Sequence, residues 1–464
     1  MGGTVQNMDP VAQLATLFLF ITGAALIPLI VGTALFYGGL GGTRRGSRTL
    51  FLAFVTLAVV VLVWIAYGYG AAFGTPLIAH WIGNPLSHPG LTGLSSYEIV
   101  FAGFQGLVAA FAVVLVLGSR QGMVRLGPWV AFAVLWVSLV YVPVAYGVFN
   151  DLDGWAGQLL QVNDFAGGIA VQVCAGAAAL ALSLAVRPIR SIPFPFPERA
   201  VADEDAASEK PDDGASVFAE KAGGFGRAEE AADAAARDEA DGAGAAEQAR
   251  DAGLGRQADA PALPHPTIRL GTPVTMIGAA LMLFGWFGLD AGSEAVVDGV
   301  AALAWVNTLA AAAAGTFSWV IVQAIRERKP TFTGAAFGAI AGLAAVSSVC
   351  NDIAPGWAIV LGIAAATPCV LIVEWPPARW LCGSALPVVG IHLVAGLIGA
   401  LYVGLFGEGI GLIDAGNFDQ LAVQGIAAFG VMFYSFGITW VIARALDKTV
   451  GLRMRTQDRR ITAS

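Results

Sequence analysis

Charged residues are scarce in this 464-residue chain: Asp, Glu, Lys and Arg make up 12% of it, against 57% hydrophobic residues. That balance excludes an ordinary soluble domain of this length. Cysteine is equally sparse. Cys174, Cys350, Cys369 and Cys382 show no metal-ligand spacing, so they read as small packing residues with no redox role. Of the four histidines, His80, His88 and His265 fall in loops, and His392 alone lies within an apolar segment. The sequence offers no metal cluster, nucleophile–base pair or phosphate loop. An enzyme is therefore not expected, nor is a cofactor, a metal or a nucleic-acid partner. The opening MGGTVQNMDPVAQ has no basic residue, and the apolar segment after it, about 11–40, is too long for a signal-peptide core. It is expected to be a retained span.

Uncharged runs longer than 18 residues recur along the chain, the length a helix needs to cross a bilayer. Further spans are expected near 50–73, 97–118, 127–148, 164–186, 269–290, 300–325, 332–349, 357–375, 387–406 and 420–445. Basic residues alternate strictly between the loops. Arg44, Arg45, Arg48, Arg120, Arg125, Arg187, Arg190, Arg326, Arg328, Lys329, Arg379 and the tail's Lys448, Arg453, Arg455, Arg459 and Arg460 mark one side, while loops 74–96 and 149–163 have no Lys or Arg. The positive-inside bias then puts the N-terminus outside and the C-terminus in the cytoplasm of a multi-pass protein of the cell membrane. The net charge of −8 is local in origin. Residues 198–260 carry −10 and the remainder +2, so acidity says nothing about the membrane part. The insert 191–266, rich in Ala, Gly, Asp and Glu between Pro clusters, is expected to be a disordered cytoplasmic loop.

Two stretches repeat one pattern. In DFAGGIAVQVCAG (164–176), Asp164, Gly168, Gln172 and Gly176 are spaced four apart, the spacing of one helical stripe. In VVGIHLVAGLIGA (388–400), His392 and Gly396 repeat the spacing of Gln172 and Gly176. A single amide in a membrane helix can simply bond a neighbouring helix. Two matched helices, each with one polar side chain at mid-membrane, suggest a paired site instead. Because the motifs fall in the fifth and tenth helices, the chain divides into five helices (1–190), the insert (191–266), five more (267–408), an eleventh helix (409–446) and a short basic tail (447–464). An odd-numbered half repeats from the opposite side, so the expected fold is an all-α membrane protein of eleven transmembrane helices, a 5+5 inverted repeat plus one C-terminal helix.

The runs VGTALFYGGL (31–40), FQG (104–106), DFAGG (164–168), FGWFGLDAGS (284–293), VNT (306–308), KPT (329–331) and GIHLVAG (390–396) resemble, in order, the ammonium transporter family (Amt/Mep/Rh), its Amt branch most closely. The resemblance implies transport of ammonium or ammonia, and of methylammonium as an analogue, through a pore in each subunit of a homotrimer. It implies an outer substrate site at Phe104, Phe149, Asp164, Trp286 and Ser293, with Phe149 where many members have Trp. The implied pore positions are Val108, Gln172, Leu289 and His392. Three of these depart from the family: Gln172 stands for the first of two pore histidines, and Val108 and Leu289 for two gate phenylalanines. Pro387 and Ser384 replace acidic residues before helix 10, and Asp290 replaces an Asn. The tail stops short of the family's GLD…HGE portion, which counts against a PII-type regulator. An ammonium sensor, or a non-conducting regulatory subunit of a mixed trimer, is the alternative.

Overall fold

An apolar segment with no water around it must satisfy its backbone N–H and C=O groups internally, and the α-helix does so within one segment. The structure, a computed structural model, follows that rule and describes residues 9–186, 271–326 and 329–454. The expected disorder of the insert falls outside the described residues, as do His265, Arg187, Arg190, Arg328 and the tail beyond residue 454. The helices are α1 (Pro10–Gly39), α2 (Arg44–Phe73), α3 (Ser96–Gly118), α4 (Leu126–Phe149), α5 (Gly168–Ala185), α6 (Thr272–Gly292), α7 (Gly299–Ile325), α8 (Phe332–Val346), α9 (Pro355–Glu374), α10 (Pro376–Phe406) and α11 (Asp419–Thr449).

Ten of these are long and apolar enough to cross a membrane, and the chain is a multi-pass, mostly helical membrane protein whose one sheet among the described residues is the short hairpin Pro76–Ile78 and Ile82–Gly83. The exception is α8. Its 15 residues span about 22 Å, short of a ~30 Å hydrocarbon layer. The helix expected to run to 349 stops at Val346 because the next residues bond elsewhere. The carbonyls of Ser347 and Ser348 accept the N–H groups of Ala166 and Phe165, and Asn307 Nδ2 donates to the carbonyls of Cys350 and Ile353.

Two starts also differ from expectation. The second helix begins before Arg48, whose guanidinium donates to the carbonyls of Gly122 and Val124 at 2.9 Å each, so the basic residues belong to its first turns. The tenth begins at Pro376, breaks at Gly383, where φ is +54°, and resumes at Leu386.

Packing uses small residues. Along the α1–α6 contact, a Cβ on Gly278 would strike the backbone of Gly32 and Phe36, and one on Gly285 the backbone of Ala25 and Leu29. Close approach of backbones is how membrane helices gain dispersion energy without a hydrophobic drive between them. All four cysteines are free and buried, consistent with packing roles. At the end of α3 away from Phe104, Arg125 N donates to Leu452 O, and Val124 bridges Arg453, tying the start of the tail to the α3–α4 loop.

Candidate functional site

Where the Phe104 end of α3 meets the Ser293 end of α6 and the turn before α5, there is a cavity of about 340 Å³. Phe104, Val108, Phe149, Asp164, Leu289 and Ser293 all line it, so six of the nine sequence-derived positions share one space. Its polar groups include three that the sequence reading did not single out: Gln105, Asp151 and Asn163. Asp151 lies in the α4–α5 loop, where a lone acidic residue gives no periodic or motif signal. Phe73 and Phe101 add rings to the wall.

Asp164 is not on the α5 stripe. Gly167 at φ +90° turns the chain before the helix starts at Gly168, and the Asp164 carboxylate accepts from Ile169 N (2.9 Å), Ala170 N (2.8 Å) and Ser348 Oγ (3.1 Å). Only a residue without a Cβ takes that backbone region at little cost. Asp164 thus satisfies helix-start donors and fixes the turn that forms one cavity wall. The four-apart spacing fails for a second reason: α5 opens as a π-helix, Gly168–Val173, with about one extra residue per turn.

Trp286 is placed differently from expectation as well. It stands seven residues before Ser293, two helical turns deeper by roughly 10 Å, and is fully buried rather than at the cavity wall. Its ring lies nearly parallel to that of His392, at 8° with centroids 6.3 Å apart, and its Nε1–H donates to Ser347 Oγ at 2.9 Å. Along α6 the order is therefore Ser293 in the cavity, Leu289 at the cavity's inner end and Trp286 against His392.

Gln172 and His392 meet. His392 Nδ1 lies 2.7 Å from Gln172 Oε1, and His392 Nε2 lies 2.5 Å from the Tyr37 hydroxyl of α1. Both residues of the pair are completely buried. A neutral imidazole has one N–H. With it on Nδ1, it donates to Gln172 Oε1 and Nε2 accepts the Tyr37 O–H. The other tautomer leaves the Tyr37 proton without an acceptor, so the bond count assigns Nδ1–H. Gln172 Nε2 then has no partner among the described residues, and its two N–H donors are uncommitted.

His392, like Gln172, sits in a π-helical segment, Val389–Leu393. The glycine four residues after each polar residue admits the other helix: a Cβ on Gly396 would lie 3.0 Å from Gln172 Cβ, and one on Gly176 2.5 Å from Leu393 N. Tyr37 was legible only as part of the run VGTALFYGGL, and nothing local marks it as the third member.

Among the described residues no group of His, Cys, Asp and Glu could hold a metal ion. A model of the Ammonium Transporter Family matches residues 17–194 and 255–463. A putative ammonium transporter of Methanothermobacter thermautotrophicus is 32% identical over 459 residues, covering 95% of this chain and 93% of that protein. An ammonium transporter of Mycobacterium bovis is 30% identical over 482 residues, with 95% and 86% covered. Among solved structures, Candida albicans Mep2 superposes with a TM-score of 0.73 at 22% identity (96% and 87% covered), and a protein described as a sensor Amt protein with 0.74 at 20% (97% of each). The match over most of its length places this chain in the Ammonium Transporter Family, a family of transporters and not of enzymes.

Proposed function

We propose that this chain carries ammonium or ammonia across a cell membrane, one path per subunit of a homotrimer, with eleven spans, the short α8 counted among them, built as a 5+5 inverted repeat plus one helix. The observation that carries the reading is the Gln172–His392 contact at 2.7 Å, directly inward of a cavity lined by rings and oxygen acceptors. Relatives at about 30% identity bear the name ammonium transporter.

Ammonium has four donors and no lone pair, so a site that takes it from water must supply acceptors and electron-rich faces. Phe104 and Phe149 offer ring faces worth about 0.5–2 kcal/mol each to a cation. Asp151, Asn163 and Ser293 offer oxygens in the same space. Inward of these, Val108 and Leu289 present only hydrocarbon, and a bare cation entering there would lose its solvation with nothing in return. Ammonia differs by carrying a lone pair. The uncommitted N–H donors of Gln172 can bond that lone pair, and they repel ammonium and potassium alike. Selection against potassium, which matches ammonium in size and charge, then rests on leaving a proton behind. Gln172 cannot titrate. Water must complete any proton relay through His392.

A sensor or a non-conducting subunit of a mixed trimer is the second reading, favoured by that same non-titrating Gln172. Uptake of labelled methylammonium by the purified protein in liposomes separates the two. Transport is expected, with Gln172→His raising discrimination against potassium and His392→Ala abolishing it. No uptake by the unaltered protein would select the sensor reading, and identical discrimination in all three proteins would remove the pair from the mechanism.

A further inference from the structure

Asp290 is completely buried on α6, between Leu289 and the cavity residue Ser293, and forms no ion pair with any described residue. Each of its oxygens accepts from one hydroxyl, Oδ2 from Thr308 Oγ1 of α7 at 2.7 Å and Oδ1 from Ser347 Oγ at 2.9 Å, and the Trp286 Nε1–H also lies within reach of the carboxylate. A hydroxyl has one proton to give. Both hydroxyls have a second acceptor in reach, Ala304 O at 2.7 Å for Thr308 and Leu343 O at 3.0 Å for Ser347.

This doubling of acceptors gives the site two complete hydrogen-bond patterns. When the carboxylate is ionised, both hydroxyl protons point to it. When it is protonated, its own O–H donates to one hydroxyl oxygen, and that hydroxyl turns its proton to the carbonyl four residues back on its helix. Neither pattern orphans a donor. Ser347 keeps the Trp286 Nε1–H bond throughout, since its oxygen accepts while its proton moves. A buried carboxylate without a cation is costly when charged, so the hydroxyls that hold the ionised form matter to it.

We infer that Asp290 is a reversible proton-binding site inside the bundle, with Thr308 and Ser347 as the hydroxyls that accommodate both forms. A proton from water adds to one carboxylate oxygen and leaves by the reverse route; only hydrogen bonds are exchanged. Trp286, bonded to Ser347 and stacked on His392, links the charge state of Asp290 to the Gln172–His392 pair.

Few other titratable groups face it. The Cys350 thiol lies within electrostatic reach of Asp290 and of Asp164 beyond it. From α7 the group that faces it is Thr308, while Thr22 of α1 lies against Gly288 and Gly292. Glu294, in the turn after α6, has Asp298 as its charged neighbour.

The inference does not depend on the transported solute, and its test uses none. Infrared difference spectra of the purified protein in lipid, recorded across pH, should show the carbonyl stretch of a protonated carboxyl group growing as pH falls. That band should disappear in Asp290→Asn and persist in Asp151→Asn. Thr308→Val removes one donor to the ionised form, so the midpoint should move to higher pH by about one unit. This second variant reports on Asp290 even if Asp290→Asn does not fold. A band unaffected by both variants, or an Asp290 band present or absent at every pH, would overturn the inference.

Discussion

Asp151 stands exposed at the cavity mouth, and its carboxylate has no hydrogen bond or ion pair among the described residues. An arriving cation meets a charge that no other group has claimed, unlike Asp164, whose oxygens are already taken by Ile169, Ala170 and Ser348. At about 4 Å in a watery mouth, such a pair is worth roughly 1 kcal/mol. Asp151→Asn should therefore raise the KM for methylammonium about fivefold with little change in kcat, and the difference between the two proteins should shrink as ionic strength rises. Equal KM values at low salt would show that the charge does not act on the substrate.

Elements meet where glycine lets them. The α5 and α10 backbones approach at Gly176 and Gly396, and the polar residue of each lies in a π-helical segment, four residues before its glycine. A π turn widens the helix and redirects side chains that an α-helix would send elsewhere. Gly176→Ala would put a Cβ 2.5 Å from Leu393 N, a backbone atom with no room to yield. The two helices would separate, at a cost of about 1–3 kcal/mol, and the 2.7 Å bond between Gln172 and His392 would lengthen. A lower Tm in detergent together with weakened potassium discrimination is the expected result. Gly103→Ala, on α3 with nothing within 4 Å of its Cβ, is the control and should leave Tm unchanged or higher. If both substitutions behave alike, the close approach at Gly176 is not what holds the pair together.

For the whole molecule, the distribution of Lys and Arg predicts an outside N-terminus and a cytoplasmic C-terminus. The four native cysteines are buried, so a single introduced cysteine can be read by impermeant labelling. A cysteine at Leu86, which is 74% exposed in the α2–α3 loop, should label from outside, and one at Gly224 from inside only. Outside labelling at Gly224 would reverse the orientation. The sequence by itself determined the helical class, the places of the long helices, the family and the likeness of the Gln172 and His392 segments, because apolar length and local spacing are written along one chain. It did not reveal that Asp164 stops short of the α5 stripe, that α8 ends at Val346, that Trp286 sits against His392, or that Tyr37 and Asp290 each complete a buried hydrogen-bond set. Those outcomes depend on which groups from distant segments satisfy one another's donors and acceptors. Tyr37 and His392 are 355 positions apart, and only the packed bundle brings them to hydrogen-bond distance.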